Sequence, residues 1–230
     1  MSGPCAFLFD VFGTLVDWRS SVARAVAAAL PGEDGHAFAD AWRAEYGPSM
    51  ARIREGGRGY APLEVLHQEN LDWVLAARNQ PLDPGQRADL NTIWQRLDPW
   101  PDTVEGLYAL KSIGLIAPCS NASIAMGTRL ARHAHLPWDT ILGADIAQSY
   151  KPDPQVYLSN CQALGLDPGD VMFVAAHNSD LEAAQALGLR TALLLRPTEH
   201  GPGQSIDLHS TGAWDHVVED LPALAAALSG

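Results

Sequence analysis

Four consecutive apolar residues, Ala6-Phe7-Leu8-Phe9, run straight into a carboxylate, Asp10, and then into the turn Val11-Phe12-Gly13-Thr14-Leu15. An apolar run this short, with no polar alternation, reads as a strand buried on both faces, which is the mark of a parallel sheet. Gly13 permits the sharp turn that follows. Ligands of open parallel sheets gather beyond the carboxyl ends of the strands, and Asp10 stands at such an end. Taken alone, Asp10 has two open roles. It can be a nucleophile whose covalent intermediate water later cleaves, or a cap that ties down its own turn.

A parallel sheet requires strand and helix to alternate, and the chain does so with one long interruption. Ser20-Ser21 are read as the cap of a helix over residues 23–30, which Pro31-Gly32 ends. From there to Pro99 the patterns are helical, over residues 37–46, 63–77 and 84–97, with no convincing strand. Trp42, Trp73 and Trp94 fall one in each pattern and read as core anchors. An all-helical block after the first strand reads as an insert covering the strand tips. The expected architecture is therefore α/β: a doubly wound, Rossmann-like parallel sheet built from residues 1–17 and 99–230, with a helical cap over residues 18–98.

Within the returning core, strands are expected over residues 115–119, 140–142, 171–175 and 191–195. Helices are expected from Asp102 to Gly114 and over residues 124–134, 156–163, 181–187 and 221–228. The 230 residues suffice for one domain of this size with an insert. A net charge of −12 argues against nucleic acid or an anionic membrane as partner. The three cysteines, Cys5, Cys119 and Cys161, have no metal-type spacing. With no basic-apolar leader and no apolar run near 18 residues, they point to reduced thiols in a soluble, cytoplasmic protein.

The residues directly after the expected strands are Asp10, Ser120-Asn121, Lys151 (in a loop) and Asp180. Sheet geometry would bring them to one edge although they are far apart in sequence, and that convergence is the main sign of a site. Each has a plainer role in isolation. Ser120 or Asn121 could cap the helix from Ile124, Lys151 could be a loop surface charge, and Asp180 could cap the helix from Leu181.

Together the four stretches resemble the motifs of the haloacid dehalogenase superfamily, over nearly the whole chain. The likeness is closest to the type II (L-)2-haloacid dehalogenases, through Asp10-x-Phe12-Gly13-Thr14-Leu15, Ser120-Asn121, Tyr150-Lys151-Pro152-Asp153 with Tyr157, and Asp180. Trp42-Arg43 resembles the pair from which that family takes its halide-site arginine, whereas by pattern alone Arg43 is a solvated helix charge. Superfamily phosphatases carry a second Asp two residues after the first, to protonate a leaving alkoxide. Here the position is Phe12, which cannot exchange a proton, and a halide needs none. Phosphatases also carry two acids in the fourth motif to hold Mg²⁺, where this chain has Ala175 and Ala176 ahead of Asp180. Asp10 and Asp180 beside Lys151 make a poor Mg²⁺ cage, so no metal and no cofactor are expected.

The resemblance implies attack by Asp10 on C2 of a 2-haloacid, giving an ester with inversion, then water attack on the Asp10 carbonyl carbon. Lys151 would neutralise charge and Ser120 would hold the substrate carboxylate. Arg43 and Asn121 would take the halide. Phe12, Trp42 and Tyr46 would form the apolar wall. Asp180 would be the base or water-orienter. His177 stands where better-known members have Asn, and is read either as a proton acceptor near the water, which is preferred, or as a residue supporting the site from behind. Ser179 replaces an aromatic residue, so substrate size does not carry over, and fluoroacetate remains a candidate substrate. Cys119, His133 and His135 read as packing or surface residues. Glu199-His200 lies in a Pro/Gly loop with no mechanism attached. The competing readings are a fluoroacetate-type defluorinase, a Mg²⁺-dependent phosphatase or phosphonatase, and a non-catalytic binding protein. A homodimer is common in such families, but no interface pattern in the residues points to one.

Overall fold

Alternation along each core strand divides its side chains between two hydrophobic cores, and this makes the sheet a middle layer between helices. The computed structural model describes residues 3–229. In β1 (Ala6–Phe9), Phe7 and Phe9 enter one core while Ala6 and Leu8 enter the other. β5 (Val171–Ala175) and β6 (Arg190–Leu194) divide the same way: Met172, Val174, Ala192 and Leu194 join the first core, Phe173 and Leu193 the second. Burial of each large side chain stabilises the sheet by about 1.5–3 kcal/mol. With β4 (Leu115–Pro118) and β7 (His216–Val218) the order is β4-β1-β5-β6-β7, and every pairing in this sheet is parallel.

Between β1 and β4 the chain leaves the sheet through β2 (Val16–Asp17) and returns through β3 (Asp98–Pro99). These two strands pair antiparallel at the base of a helical insert. The insert contains α1 (Trp18–Ala29), α2 (Gly35–Ala44), α3 (Tyr46–Arg54), α4 (Leu63–Ala77), α5 (Pro84–Asn91) and a 3₁₀ turn at Thr92–Gln95. The core helices are α6 (Thr103–Lys111), α7 (Ile124–Ala134), α8 (Pro154–Ala163), α9 (Asn178–Ala186) and α10 (Leu221–Ser229).

Several local expectations are corrected. Asp17, not Ser20-Ser21, caps α1, its carboxylate accepting from Ser20 N at 3.0 Å, while Ser21 Oγ accepts from Asp98 N across the base of the insert. Residues 140–142 form only one bridge, Leu142 to Cys119, because Asp139 already satisfies that edge of β4 through both polar groups of Ile116. The helix expected over residues 37–46 breaks at Glu45 and a new one follows, with Pro48 tolerated in the first turn of α3, where no intrahelical N–H is needed. Trp73 is no core anchor. It is 58% exposed, because α4 buries positions 63, 66, 67, 70, 71, 74 and 75 and residue 73 faces away from that stripe. Trp42 and Trp94 are buried as expected. Among the described residues no helix is long and apolar enough to cross a membrane.

Candidate active site

The turn after β1 is clamped before any ligand arrives. Asp10 N still donates to Val174 O on β5, so the nucleophile candidate sits on the sheet edge. Thr14 Oγ1 donates to Asp10 Oδ2 at 2.7 Å and accepts from Ala176 N at 2.9 Å, which bridges two strand tips. Gly13 adopts φ +89°, the left-handed region that glycine tolerates.

Lys151 brings the tips together. Its backbone N donates to Asn121 Oδ1 at 2.8 Å, and its Nζ lies 2.8 Å from Asp10 Oδ1 and 2.5 Å from Asp180 Oδ2. Asp180 lies in the first turn of α9 with His177 in the capping position, so the expected capping role of Asp180 is not what the structure has. The other Asp180 oxygen accepts from the Tyr157 hydroxyl. Burial disfavours charge on all of these groups, and the neighbours decide the outcome. Burial raises the Asp10 pKa, but Lys151 and His177 outweigh it and hold the carboxyl well below its usual range. Burial alone would lower Lys151, yet Asp10 and Asp180 keep it protonated. Burial, with Asp10 adding to it, pushes Asp180 up, only partly offset by Lys151.

His177 corrects the proton-acceptor reading. Its Nδ1 lies 3.5 Å from Asp10 Oδ2, and its Nε2 lies 2.9 Å from Glu199 Oε2. Burial works against a charged ring, but Glu199 and Asp10 win and raise the pKa well above that of ordinary histidine. The resting residue is an imidazolium, and Glu199, held low by His177 against its own burial, is its counterion. Glu199 is the residue that sequence reading left without a role. Its loop is fixed by Arg196, which donates to Thr14 O and forms a fork to Asp102, and Trp18 Nε1 donates to Glu199 Oε1 at 3.0 Å. The available signal was an acid next to a histidine in a loop after the last buried strand. Nothing local paired it with residue 177.

These groups face a cavity of about 200 Å³ lined by Asp10, Phe12, Arg43, Tyr46, Met50, Asn121, Lys151, Pro152, His177, Ser179 and Asp180. Phe12 and Tyr46 stand in the wall as expected. Trp42 does not: it is 1% exposed behind the wall and donates Nε1 to His67 O. Ser120 is also absent from the lining. Its Oγ accepts from Ala122 N inside its own turn, while Ser123, not Ser120 or Asn121, caps α7. Asn121 is pinned at both ends, to Lys151 N and to the Tyr46 hydroxyl. Arg43 is no solvated surface charge. Its guanidinium lies 3.8 Å from the Tyr46 ring and pairs with no carboxylate among the described residues.

One oxygen or nitrogen from each of Asp10, His177 and Asp180 lies within 4.8 Å of the others. The donors do not suit Mg²⁺, because the Lys151 ammonium already bridges both carboxylates and residues 175 and 176 are alanines without side-chain oxygen.

The sequence model of the haloacid dehalogenase-like hydrolases matches residues 6–188. The chain belongs to that family. Among its members, (S)-2-haloacid dehalogenase 4A of Burkholderia cepacia is 32% identical to this hydrolase over 197 residues, covering 83% of each chain. A crystal structure of a defluorinating L-2-haloacid dehalogenase matches it with TM-score 0.96 at 47% identity, covering 100% of this chain and 99% of that one. The L-2-haloacid dehalogenase from Xanthobacter autotrophicus, with chloropropionic acid covalently bound, matches with TM-score 0.85 at 27% identity over 99% of both chains.

Proposed function

We propose that this hydrolase converts short (S)-2-haloalkanoic acids, haloacetates and 2-halopropionates, to 2-hydroxy acids through an ester of Asp10. One observation carries the reading. A buried carboxylate is kept anionic between Lys151 and His177, and it faces a small cavity whose wall holds an unpaired Arg43 and no proton donor at position 12. An alkoxide leaving group would need that donor. A halide does not.

In the first step an Asp10 oxygen bonds to C2 while the carbon–halogen bond breaks on the opposite side, inverting the carbon. Three acids, Asp10, Asp180 and Glu199, face three cations, Lys151, His177 and Arg43. Among the described residues Arg43 alone of the three cations has no acid partner, so the halide collects there, beside Asn121. In the second step water adds to the Asp10 carbonyl carbon and gives a proton to Asp180, whose raised pKa makes it a stronger base than an ordinary carboxylate. Charge then develops on the Asp10 oxygen that faces Thr14 and the His177 imidazolium, which stabilise it. The ester bond breaks, the product oxygen takes up a proton, and the water oxygen stays on Asp10. Phe12, Tyr46 and Met50 keep bulk water out.

The test is halide release from (S)- and (R)-2-chloropropionate, chloroacetate and fluoroacetate in EDTA, with a Mg²⁺-supplemented aryl phosphate assay alongside. Halide and (R)-lactate from the S substrate in EDTA are expected. Fluoroacetate belongs in the panel because a close structural relative is described as defluorinating. Phosphate release that needs Mg²⁺, with no halide from any acid, would overturn the reading. Asp10→Asn should lose turnover and keep halide binding. Full turnover by that variant would exclude the ester.

A further inference from the structure

Behind the cavity wall lies a set of buried nitrogens with nothing to bond to. Nη1 of Arg43, Nε1 of Trp94 and both ring nitrogens of His67 are buried and without a hydrogen-bond partner. They come from three separate elements, α2, the 3₁₀ turn and α4, yet they share one aromatic box. The His67 ring centroid lies 4.2 Å from that of Trp94, 5.8 Å from that of Tyr46 and 6.4 Å from that of Phe12. Tyr46 and Phe12 are also cavity-wall residues, and the Arg43 guanidinium lies over the Tyr46 ring. Trp42, whose ring centroid lies 5.4 Å from that of Trp94, already spends its N–H on His67 O and so is not among these donors.

Burying a donor without an acceptor is costly, and native structures avoid it unless a guest supplies the acceptor. Here such groups share one aromatic box with Tyr46, whose ring carries an arginine that pairs with no carboxylate among the described residues. That pattern is a receptor for an anion. The aromatic rings leave no polar contact for a carboxylate or phosphate to satisfy its several oxygens, so the guest is monatomic. Burial and the neighbouring Arg43 hold the His67 ring neutral, which gives it one N–H to offer.

Building on the dehalogenase reading above, we propose that His67 and Trp94 complete the leaving-halide site: the departing halide is held by Arg43 Nη1, the Trp94 indole N–H and the ring N–H of His67. The two residues are then halide-binding groups that select a small, dehydrated anion. They take no part in binding the substrate carboxylate.

Bromide is a suitable probe, since it is a product of 2-bromopropionate hydrolysis and a heavy-atom quencher of indole fluorescence. His67→Phe and Trp94→Phe each keep an aromatic ring and remove the N–H. Each should weaken bromide product inhibition roughly tenfold. In the wild-type enzyme the Trp94 indole ¹H–¹⁵N resonance should move on bromide titration, and this measurement stands even if a variant fails to fold. Folded variants with wild-type bromide inhibition, or an indole resonance that bromide leaves in place, would overturn the proposal and assign these nitrogens to buried water. A wild-type protein that releases no halide from any 2-haloacid, yet shows the bromide shift, would sink the dehalogenase reading and leave the anion site standing. Halide release without the shift would sink only this proposal.

Discussion

Nε2 of His177 lies 2.9 Å from Oε2 of Glu199, and the carboxylate is sealed from solvent at 1% exposure. The opposite ring nitrogen faces Asp10 at 3.5 Å. An imidazole between two acids in a buried site is a fixed cation, and a fixed cation beside the nucleophile can stabilise charge that appears there during ester hydrolysis.

Glu199→Gln should therefore act through His177. Without the glutamate charge the imidazolium loses its largest support and its pKa falls. The alkaline limb of the kcat profile should move at least one unit toward lower pH, with KM little changed. An unchanged pH profile in a folded variant would show that Glu199 is structural only.

Lys151→Met removes the ammonium between Asp10 and Asp180 and leaves two buried carboxylates facing each other. One of them must take a proton, and burial already raises Asp180. The nucleophile is then partly neutralised, so kcat should fall by about a thousandfold or more, a loss of roughly 4 kcal/mol. Breaking a buried pair should also cost about 3–5 kcal/mol of stability near neutral pH. The variant should regain stability in mild acid, where the carboxylates protonate. Denaturant titrations at pH 5 and pH 8 check this, and equal stability at both would contradict the charge argument.

Gly13→Ala tests how tightly the β1 turn and the Glu199 loop are built together. A Cβ at position 13 would lie 2.0 Å from Glu199 Oε1, and the backbone there holds φ +89°. Strain of about 1–2 kcal/mol adds to expulsion of the glutamate from its place beside His177. The variant should melt several degrees lower and show the same shifted pH profile as Glu199→Gln. A wild-type profile would mean that the loop yields without moving His177.

Asp10 was legible because it follows a buried strand directly, β1 ending at Phe9, and Asp180 because it lies in the first turn of the helix after β5. Lys151 follows no strand, and only its motif marked it. The helical insert was legible as a long stretch without strand pattern. Side-chain direction was not. Trp42 and Ser120 sit beside the site in sequence but turn away from the cavity, one toward His67 and the other into its own turn. Glu199 could not be assigned because its partner lies 22 residues away, and a buried Arg196 fork to Asp102 sets the position of its loop. The two-residue strands β2 and β3 have no periodicity to detect, and only their pairing defines them.

Stability should peak in mildly acidic solution. Asp10 and Glu199 have folded pKa values below their unfolded ones, so their contributions are complete above about pH 4.5 and are lost as pH falls through the folded values. His177 has a folded value above its unfolded one, so its contribution is complete below about pH 6.5 and is lost as pH rises through the folded pKa. Asp180, raised by burial, opposes the two acids: its cost to stability grows as pH rises from the ordinary carboxylate value through its raised folded pKa. Lys151, raised like His177, keeps its contribution until strongly alkaline pH. The favourable windows overlap between about pH 4.5 and 6.5, so melting temperatures from pH 3 to 9 should be highest there. His177→Asn should flatten the alkaline side and leave the acid side, where Asp10 and Glu199 titrate, in place. An undiminished alkaline decline in that variant would mean that another group titrates there and that His177 is not held as a cation.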